Sequence, residues 1–139
     1  MYEIPTIIKG DFFEDERGRL EFINSFKLDN VKRIYFIENS DLINFRGWQG
    51  HKIEKRWFFC IHGAFEISAV KIDNWNNPNK NLEVSKFILE EKKPNILFIP
   101  NGYANGLRSI KKGSRLIALS DYALDDHDDE YRFKNSLWR

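Results

Sequence analysis

The sequence predicts an all-β fold, a sandwich or a closed barrel built from many short strands. Aromatic residues make up 15% of the chain, with 12 Phe, five Tyr and four Trp, and such side chains suit broad, half-buried sheets. Short runs of β-branched and aromatic residues recur about every ten positions between turn residues, which is typical of these folds. A small barrel of this kind can hold one small ligand in its mouth.

Eight segments carry the strand pattern: residues 20–26, 31–38, 56–61, 64–72, 82–89, 95–99, 106–110 and 114–120. His62 and Gly63 separate two of them, and a two-residue connection with glycine second predicts a β-hairpin. The polar segment 74–80 predicts an exposed loop. Only the tail, residues 125–133, has a pattern compatible with a helical turn.

The length, charge and composition of the chain limit the classes of protein to which it can belong. A chain of 139 residues suits one domain, residues 1–139. A net charge of +1 gives no reason to expect nucleic acid or a membrane as a partner. No apolar run reaches the roughly 18 residues of a membrane span, and the first residues lack the pattern of a signal peptide. The single cysteine, Cys60, lies in an apolar run, so we expect a buried, inert thiol in a cytoplasmic protein.

One segment concentrates groups that can do chemistry. Residues 46–52 read Arg-Gly-Trp-Gln-Gly-His-Lys. On a strand, Gln49 and His51 share one face, because side chains alternate with a period of two. If that face lines a barrel, an amide and an imidazole face the cavity together. The alternative is that His51 is a partly exposed strand residue.

Together with other short motifs, this segment resembles a family of cupin enzymes that act on nucleotide-linked 4-keto-6-deoxy sugars. These are the dTDP-4-dehydrorhamnose 3,5-epimerases and the dTDP-sugar 3,4-ketoisomerases, including WxcM-like proteins. The matching motifs are Asp-Glu-Arg-Gly at 15–18, Val-Lys-Arg-Ile-Tyr-Phe-Ile at 31–37, Arg-Gly at 46–47, Pro-Asn-Gly-Tyr-Ala at 100–104 and Ser-Asp-Tyr at 120–122. The resemblance implies a cupin-type double-stranded β-helix, a jelly-roll barrel.

Residues 46–52 are nearest to the ketoisomerase pattern Arg-Gly-Phe-His-Ala-His-Lys, whereas the Pro-x-Gly-Tyr-Ala stretch and Trp138 are closer to the epimerases. The resemblance assigns Arg17 and Arg46 to the diphosphate, and a planar guanidinium suits phosphate oxygens. It places Arg56 near the sugar, where the epimerases carry a lysine. Further contacts to the nucleotide sugar are expected from Lys52, Tyr35, Tyr103 and Asn105.

The chain also departs from the family pattern. Gln49 replaces the first histidine of the ketoisomerase pair, and an amide cannot accept a proton at neutral pH. Asn105 replaces a second histidine, and apolar residues 116–119 stand where the epimerases place a catalytic tyrosine. We therefore expect isomerase chemistry carried by His51 as proton shuttle, with Gln49 orienting the substrate and Arg56 or Lys52 stabilising an enolate. The alternative is a non-catalytic cupin that binds a sugar nucleotide or carbohydrate.

A metal centre is the competing interpretation for any cupin. Only His51 and Glu54 match the metal-binding pattern, fewer than the three ligands that a transition metal needs. We therefore expect no metal and no other cofactor. The acidic residues 125–130 lack the spacing of a calcium loop and predict a solvated turn.

The resemblance further implies a homodimer in which the N-terminal strands of one subunit complete the site of the other. An expected exposure of Phe12, Phe13, Trp75 and Trp138 gives this assembly a physical reason. The same resemblance implies a place in the biosynthesis of cell-surface polysaccharide.

Overall fold

The structure, a computed structural model, describes residues 2–124 and 128–138, and these residues form twelve β-strands and no helix. The strands are β1 (Thr6–Lys9), β2 (Asp11–Asp15), β3 (Gly18–Phe22), β4 (Arg33–Glu38), β5 (Arg46–His51), β6 (Arg56–His62), β7 (Ala64–Lys71), β8 (Ser85–Glu90), β9 (Asn95–Ile99), β10 (Tyr103–Ser109), β11 (Arg115–Ser120) and β12 (Tyr131–Arg132). No helix that could span a membrane is therefore found in these two ranges.

Ten of the strands form two five-stranded antiparallel sheets. The first sheet has the order β1-β9-β6-β11-β4 and the second has the order β12-β5-β10-β7-β8. Strands β2 and β3 form a separate two-stranded hairpin. From β4 to β7, and again from β8 to β12, each strand lies in the sheet opposite to that of its predecessor. This alternation is the jelly-roll arrangement, so the predicted fold class is confirmed.

The main hydrophobic core lies between the two sheets. It holds Phe58 of β6, Phe65 and Ile67 of β7, and Leu97 of β9, none of which is more than 1% exposed. These side chains belong to alternate strand positions, because every second residue points inward. Cys60 is part of this core, and burial raises the pKa of its thiol to about 11, as expected for an inert cysteine.

A second cluster covers the outer face of the second sheet. Val70 points outward from β7 and contacts a group of aromatic rings that includes Trp48 and Trp138, whose centroids are 5.3 Å apart. The indole N–H of Trp138 donates to the carbonyl of Asn79 at 2.8 Å. Trp138 is only 9% exposed and Trp75 is half-buried. The prediction of exposed aromatic rings is therefore wrong for Trp138, although Phe12 and Phe13 are exposed.

All eight predicted segments overlap a strand, but the sequence missed the ends of the chain. Strands β1, β2, β5 and β12 are not among the predicted segments. β1, β2 and β12 are short and gain their stability from a partner strand rather than from their own pattern, and a strand at residues 46–51 enters the prediction only as a condition for Gln49 and His51 to share a face. Residues 128–133 contain strand β12 and no helical turn. The predicted helical turn is wrong for them, and its residues 125–127 lie outside the described part of the chain. The loop at 74–80 is confirmed.

The predicted hairpin at His62 and Gly63 is also wrong. Strand β6 pairs with β9 and β11, whereas β7 pairs with β10 and β8, so the chain crosses from one sheet to the other at this point. Gly63 has a φ of 73°, and the next N–H, that of Ala64, donates to the hydroxyl of Ser114 at 2.9 Å. The dipeptide signals a chain reversal, but long-range pairing decides which strands meet.

We expect Gly63→Ala to destabilise the fold more than Gly113→Ala does. Both glycines have a positive φ, but a Cβ on Gly63 would lie 2.1 Å from the Ser114 hydroxyl oxygen, whereas one on Gly113 would meet nothing within 4 Å. Gly113→Ala should cost about 1 kcal/mol in backbone strain, and Gly63→Ala about 1–3 kcal/mol more from the clash. Urea unfolding measures both, and equal losses would contradict this account.

Candidate functional site

A charged cavity of about 870 Å³ opens between the two sheets. Its walls come from β4 and β6 of the first sheet, from β5 and β10 of the second, and from the C-terminal residues 128–132. The charged side chains of its lining are Arg33, Arg46, Arg56, Arg132, Glu38, Glu54, Asp128, Asp129 and Glu130. The volume falls in the usual range for small-molecule sites, and the lining suits a polar, charged ligand.

His51 is the imidazole of this cavity. It ends strand β5, is 3% exposed, and its Nδ1 lies 3.0 Å from the main-chain oxygen of Asp129. A carbonyl oxygen only accepts hydrogen bonds, so in the neutral ring Nδ1 carries the hydrogen and Nε2 carries the lone pair. Within the described residues, the buried Nε2 has no hydrogen-bond partner. The imidazole therefore offers an acceptor that the protein itself leaves unused.

The surroundings of His51 keep its imidazole neutral. Burial lowers the pKa of His51, and the positive charge of Arg56 lowers it further, while Glu54 and Asp129 act in the opposite direction. A histidine below its usual pKa of 6.5 is largely unprotonated at neutral pH. His51 is thus in the form that can accept a proton.

Beside the imidazole lies a buried ion cluster. Arg56 is 3% exposed, and its Nη2 donates to Glu54 Oε1 at 3.1 Å. The hydroxyl of Ser120 donates to the same oxygen at 2.7 Å, and Arg56 Nη1 donates to the Tyr35 hydroxyl. Arg33 Nη2 lies 3.8 Å from Glu54 Oε1. Burial alone would raise the pKa of Glu54, but the Ser120 hydrogen bond and the neighbouring cations lower it overall, so this carboxyl is ionised.

The C-terminal segment holds the end of strand β5 in place. The Asp129 carboxylate accepts the backbone N–H groups of Lys52, Ile53 and Glu54 at 2.8 to 3.2 Å. Asp129 is 3% exposed, so the prediction of a solvated acidic turn is wrong for this residue. In a run of acidic residues, nothing in the sequence distinguishes the carboxylate that faces three backbone donors.

The next residue, Glu130, bonds to the same strand through side chains. Its Oε1 accepts from Gln49 Nε2 at 2.5 Å and from Arg132 Nη2 at 2.6 Å. Strand β12 adds backbone pairing, with Arg132 opposite Gln49. Residues 129–132 therefore contact both His51 and Gln49.

His51, Glu54 and Asp129 also bring possible metal ligands together, since their ligand atoms all lie within 4.8 Å of one another. Asp129 is a third such group that the sequence pattern did not identify. The donors fit a metal poorly, because the Asp129 oxygens already accept three backbone N–H groups and the His51 Nδ1 hydrogen is directed at a carbonyl. The expectation of a metal-free site stays a prediction.

The structure brings six of the nine predicted site residues to the cavity: Gln49, His51, Arg56, Arg46, Tyr35 and Asn105. Gln49 and Asn105 are directly paired between β5 and β10. Arg46 is exposed, and its Nε donates to Asn39 at 3.3 Å, so most of its guanidinium is available to a ligand.

The other three predicted site residues lie elsewhere in this chain. Lys52 lies outside the cavity, and its ammonium group is 5.2 Å from the centroid of the Tyr131 ring, a cation–π contact. Tyr103 is opposite His51 in the strand register but packs into the core between the sheets, where burial raises its pKa. Arg17 lies at the turn of the β2–β3 hairpin, with a side chain that is 81% exposed and paired to Asp15 at 2.6 Å.

A jelly roll of two antiparallel sheets with a charged cavity between them is an architecture that cupins share with other double-sheet β proteins. The family model described as WxcM-like, C-terminal, matches residues 1–138. The chain belongs to this family, and the resemblance inferred from the motifs is confirmed. No curated protein sequence is similar enough to the chain to count as a match.

Solved structures share the fold at low sequence identity. A variant of the 3,4-ketoisomerase QdtA from Thermoanaerobacterium thermosaccharolyticum, in complex with TDP-4-keto-6-deoxyglucose, is 23% identical with a TM-score of 0.73, covering 96% of this chain and 90% of its own. A 3,4-ketoisomerase from Helicobacter canadensis is 22% identical with a TM-score of 0.72, covering 96% and 94%. The dTDP-4-dehydrorhamnose 3,5-epimerase of Bacillus anthracis, with TDP and PPi bound, is 15% identical with a TM-score of 0.76, covering 95% and 79%.

The lowered pKa of His51 predicts a loss of stability on mild acidification. Below the usual pKa of 6.5, the unfolded chain binds a proton at this residue that the folded chain does not bind. The free energy of unfolding therefore falls as the pH drops from 6.5 through the folded pKa. Urea unfolding at several pH values measures this slope, which should be shallower in His51→Asn. A slope in His51→Asn equal to that of the wild type would contradict the assignment.

Proposed function

We propose that the protein is a sugar-nucleotide isomerase, and specifically a 3,4-ketoisomerase of a nucleotide-linked 4-keto-6-deoxy sugar. The observation that carries this proposal is the buried, neutral His51, whose Nδ1 is held by Asp129 and whose Nε2 is unpaired among the described residues of the cavity. Several proteins of the same fold are 3,4-ketoisomerases, including those of T. thermosaccharolyticum and H. canadensis. The proposed setting is a cytoplasmic pathway that supplies sugars for cell-surface polysaccharide.

The chemistry needs a base beside a cation. A carbonyl at C4 acidifies the hydrogen on C3, and a neutral imidazole can remove that proton as an enolate forms. Nε2 of His51 is the base in this proposal. Arg56 supplies the positive charge that stabilises the enolate oxygen, and its buried Nε hydrogen has no partner among the described residues. Gln49, on the same strand face as His51, orients the sugar through its amide.

A keto shift fits these residues better than epimerisation does. Epimerisation takes a proton from one face of the sugar and returns one to the opposite face, so it needs an acid–base group on each side. Strand β11, where the epimerases carry a tyrosine, contributes Leu116 and Ala118 to the apolar core instead. A single imidazole can remove a proton from C3 and return it to C4 on the same face.

The replacement of a family histidine by Gln49 favours one alternative, a cupin that binds a sugar nucleotide without turning it over. The two functions differ in proton exchange. An isomerase washes solvent deuterium into a 4-keto sugar nucleotide, and a binding protein does not. Absence of both turnover and exchange in the wild type, across dTDP-, GDP- and UDP-linked keto sugars, would establish the alternative.

His51→Asn should lower turnover of dTDP-4-keto-6-deoxyglucose by about 10²-fold or more, the usual contribution of a general base. Nucleotide binding should remain nearly intact, because asparagine keeps the polarity and approximate size of the side chain. Turnover and calorimetric binding of dTDP measure the two effects. His62→Asn is the matched control, since that imidazole is exposed and lies outside the cavity. Wild-type turnover in His51→Asn would refute the catalytic assignment.

Arg46 is the proposed diphosphate contact that this chain provides by itself. Arg46→Ala should weaken dTDP binding by about 1.5–3 kcal/mol, the scale of charge-assisted hydrogen bonds. The fold should be unaffected, because the side chain is exposed and makes one long hydrogen bond. Arg108→Ala, which removes an exposed arginine of β10 that pairs with Glu66, serves as the control. If Arg46→Ala bound dTDP as tightly as the wild type, Arg46 would not contact the diphosphate.

Arg17 does not line the cavity of its own chain, so it could contact the ligand only in the cavity of a second copy of the chain. We propose a homodimer in which the β2–β3 hairpin of each subunit lies at the site of its partner, and the exposed Phe12, Phe13 and Leu20 of this hairpin give it apolar surface to bury. In that dimer, Arg17→Ala should weaken dTDP binding to the same extent as Arg46→Ala. A monomer in light scattering at micromolar concentration, or unchanged affinity in Arg17→Ala, would contradict this arrangement.

A further inference from the structure

A keto shift moves two protons, and His51 accounts for one of them. The first proton leaves C3 and arrives at C4. The second leaves the C3 hydroxyl and arrives at the C4 oxygen, so a second acid–base group must face the sugar. Gln49 cannot perform this role, because a carboxamide does not exchange protons at neutral pH.

Two of the carboxylates beside the imidazole are already committed to other groups. Glu54 Oε1 accepts from Ser120 and Arg56, and these contacts hold the carboxyl in its ionised form. The Asp129 carboxylate accepts three backbone N–H groups and is buried. Protonation of Asp129 would weaken the hydrogen bonds that fix the end of strand β5, and protonation of Glu54 would weaken its bonds with Ser120 and Arg56.

Apart from Glu130, two further carboxylates line the cavity, those of Glu38 and Asp128. Over the described ranges, neither of them forms a hydrogen bond with His51 or Gln49. Glu38 lies at the far end of β4 and pairs with Arg115 at 3.7 Å. Asp128 is exposed, and in the described parts of the chain it makes no hydrogen bond or ion pair with His51 or Gln49.

Glu130 differs from all of these, because one of its oxygens is anchored and the other is available. Gln49 Nε2 and Arg132 Nη2 both donate to Oε1, at 2.5 and 2.6 Å. Over residues 2–124 and 128–138, Oε2 has no hydrogen-bond or ion-pair partner. The side chain lines the cavity and is 50% exposed, so a bound ligand can reach Oε2. Its anchor, Gln49, shares a strand face with His51.

We propose that Glu130 is a second proton-transfer residue, held against the sugar by Gln49 and Arg132, that carries the proton between the two oxygens. This inference rests on the proposed ketoisomerase function. His51 Nε2 takes the C3 proton as the electron pair of the C4 carbonyl moves onto oxygen, and Glu130 takes the C3 hydroxyl proton. Glu130 then gives its proton to the C4 oxygen, and His51 returns the other proton to C4 as the C3 carbonyl forms. Both side chains end in their starting forms, and no oxidant or reductant is needed.

The test separates the two protons by comparing turnover with exchange in Glu130→Gln, which keeps the shape of the side chain and removes its titratable group. With dTDP-4-keto-6-deoxyglucose in D₂O, NMR follows both formation of the 3-keto isomer and uptake of deuterium at C3. We expect Glu130→Gln to lose about 10²-fold in turnover while deuterium uptake changes by less than about 3-fold, since His51 alone removes the C3 proton. His51→Asn should lose both.

Glu66→Gln is the matched control, because Glu66 is also a glutamate paired with an arginine, at 3.3 Å, and it lies outside the cavity. It should leave turnover and exchange unchanged. Equal losses of turnover and exchange in Glu130→Gln would mean that Glu130 only supports His51, and wild-type turnover would mean that it has no part in the reaction. Either result overturns this inference and leaves the ketoisomerase function standing. A wild type without turnover or exchange would instead remove the proposed function itself.

Discussion

The geometry of the site depends on the bonds that Asp129 makes to the end of strand β5. Its carboxylate accepts three successive backbone N–H groups, from Lys52 to Glu54, and its main-chain oxygen lies 3.0 Å from His51 Nδ1. One residue thereby fixes both the path of the backbone after His51 and the tautomer of the ring. Because the carboxylate is buried, water does not compete for these bonds, and leaving the backbone donors unpaired would be costly.

Around this clamp, the cavity balances buried charges of both signs. Arg56 and Arg33 flank Glu54, and Ser120 completes its hydrogen bonds. In a partly desolvated site such a cluster is tolerated only when each charge has a partner. The same cluster places a cation next to a neutral imidazole, which is the combination that stabilises negative charge on oxygen while a proton moves. The contacts that neutralise the buried charges are therefore the same contacts that place a cation beside the imidazole.

Local sequence patterns predicted much of the fold. Short apolar runs between turn residues identified inner strands, such as residues 95–99, which coincide with β9. This strand is apolar throughout because both of its faces are covered, with Leu97 and Ile99 in the core between the sheets and Ile96 and Phe98 in a second apolar cluster. The motif at 46–52 places Gln49 and His51 on one face if the segment is a strand, and the structure meets this condition, since both residues lie on β5 and line the cavity. The hairpin at Gly63 and the exposed Trp138 were wrong, since a turn signal does not reveal which sheet the next strand joins and an aromatic ring does not reveal what covers it.

The sequence by itself determined the all-β class and the family, because these properties reside in periodic patterns and short motifs, and it identified the imidazole of His51 and several arginines only as candidates for a site. Only the tertiary structure decided which groups surround that imidazole. Asp129 and Glu130 lie more than 75 residues from the strand that they hold, and their contacts form when β12 pairs with β5. Side chains brought together over such a distance leave no local signal, since their energy comes from burial and hydrogen bonds that exist only in the folded chain.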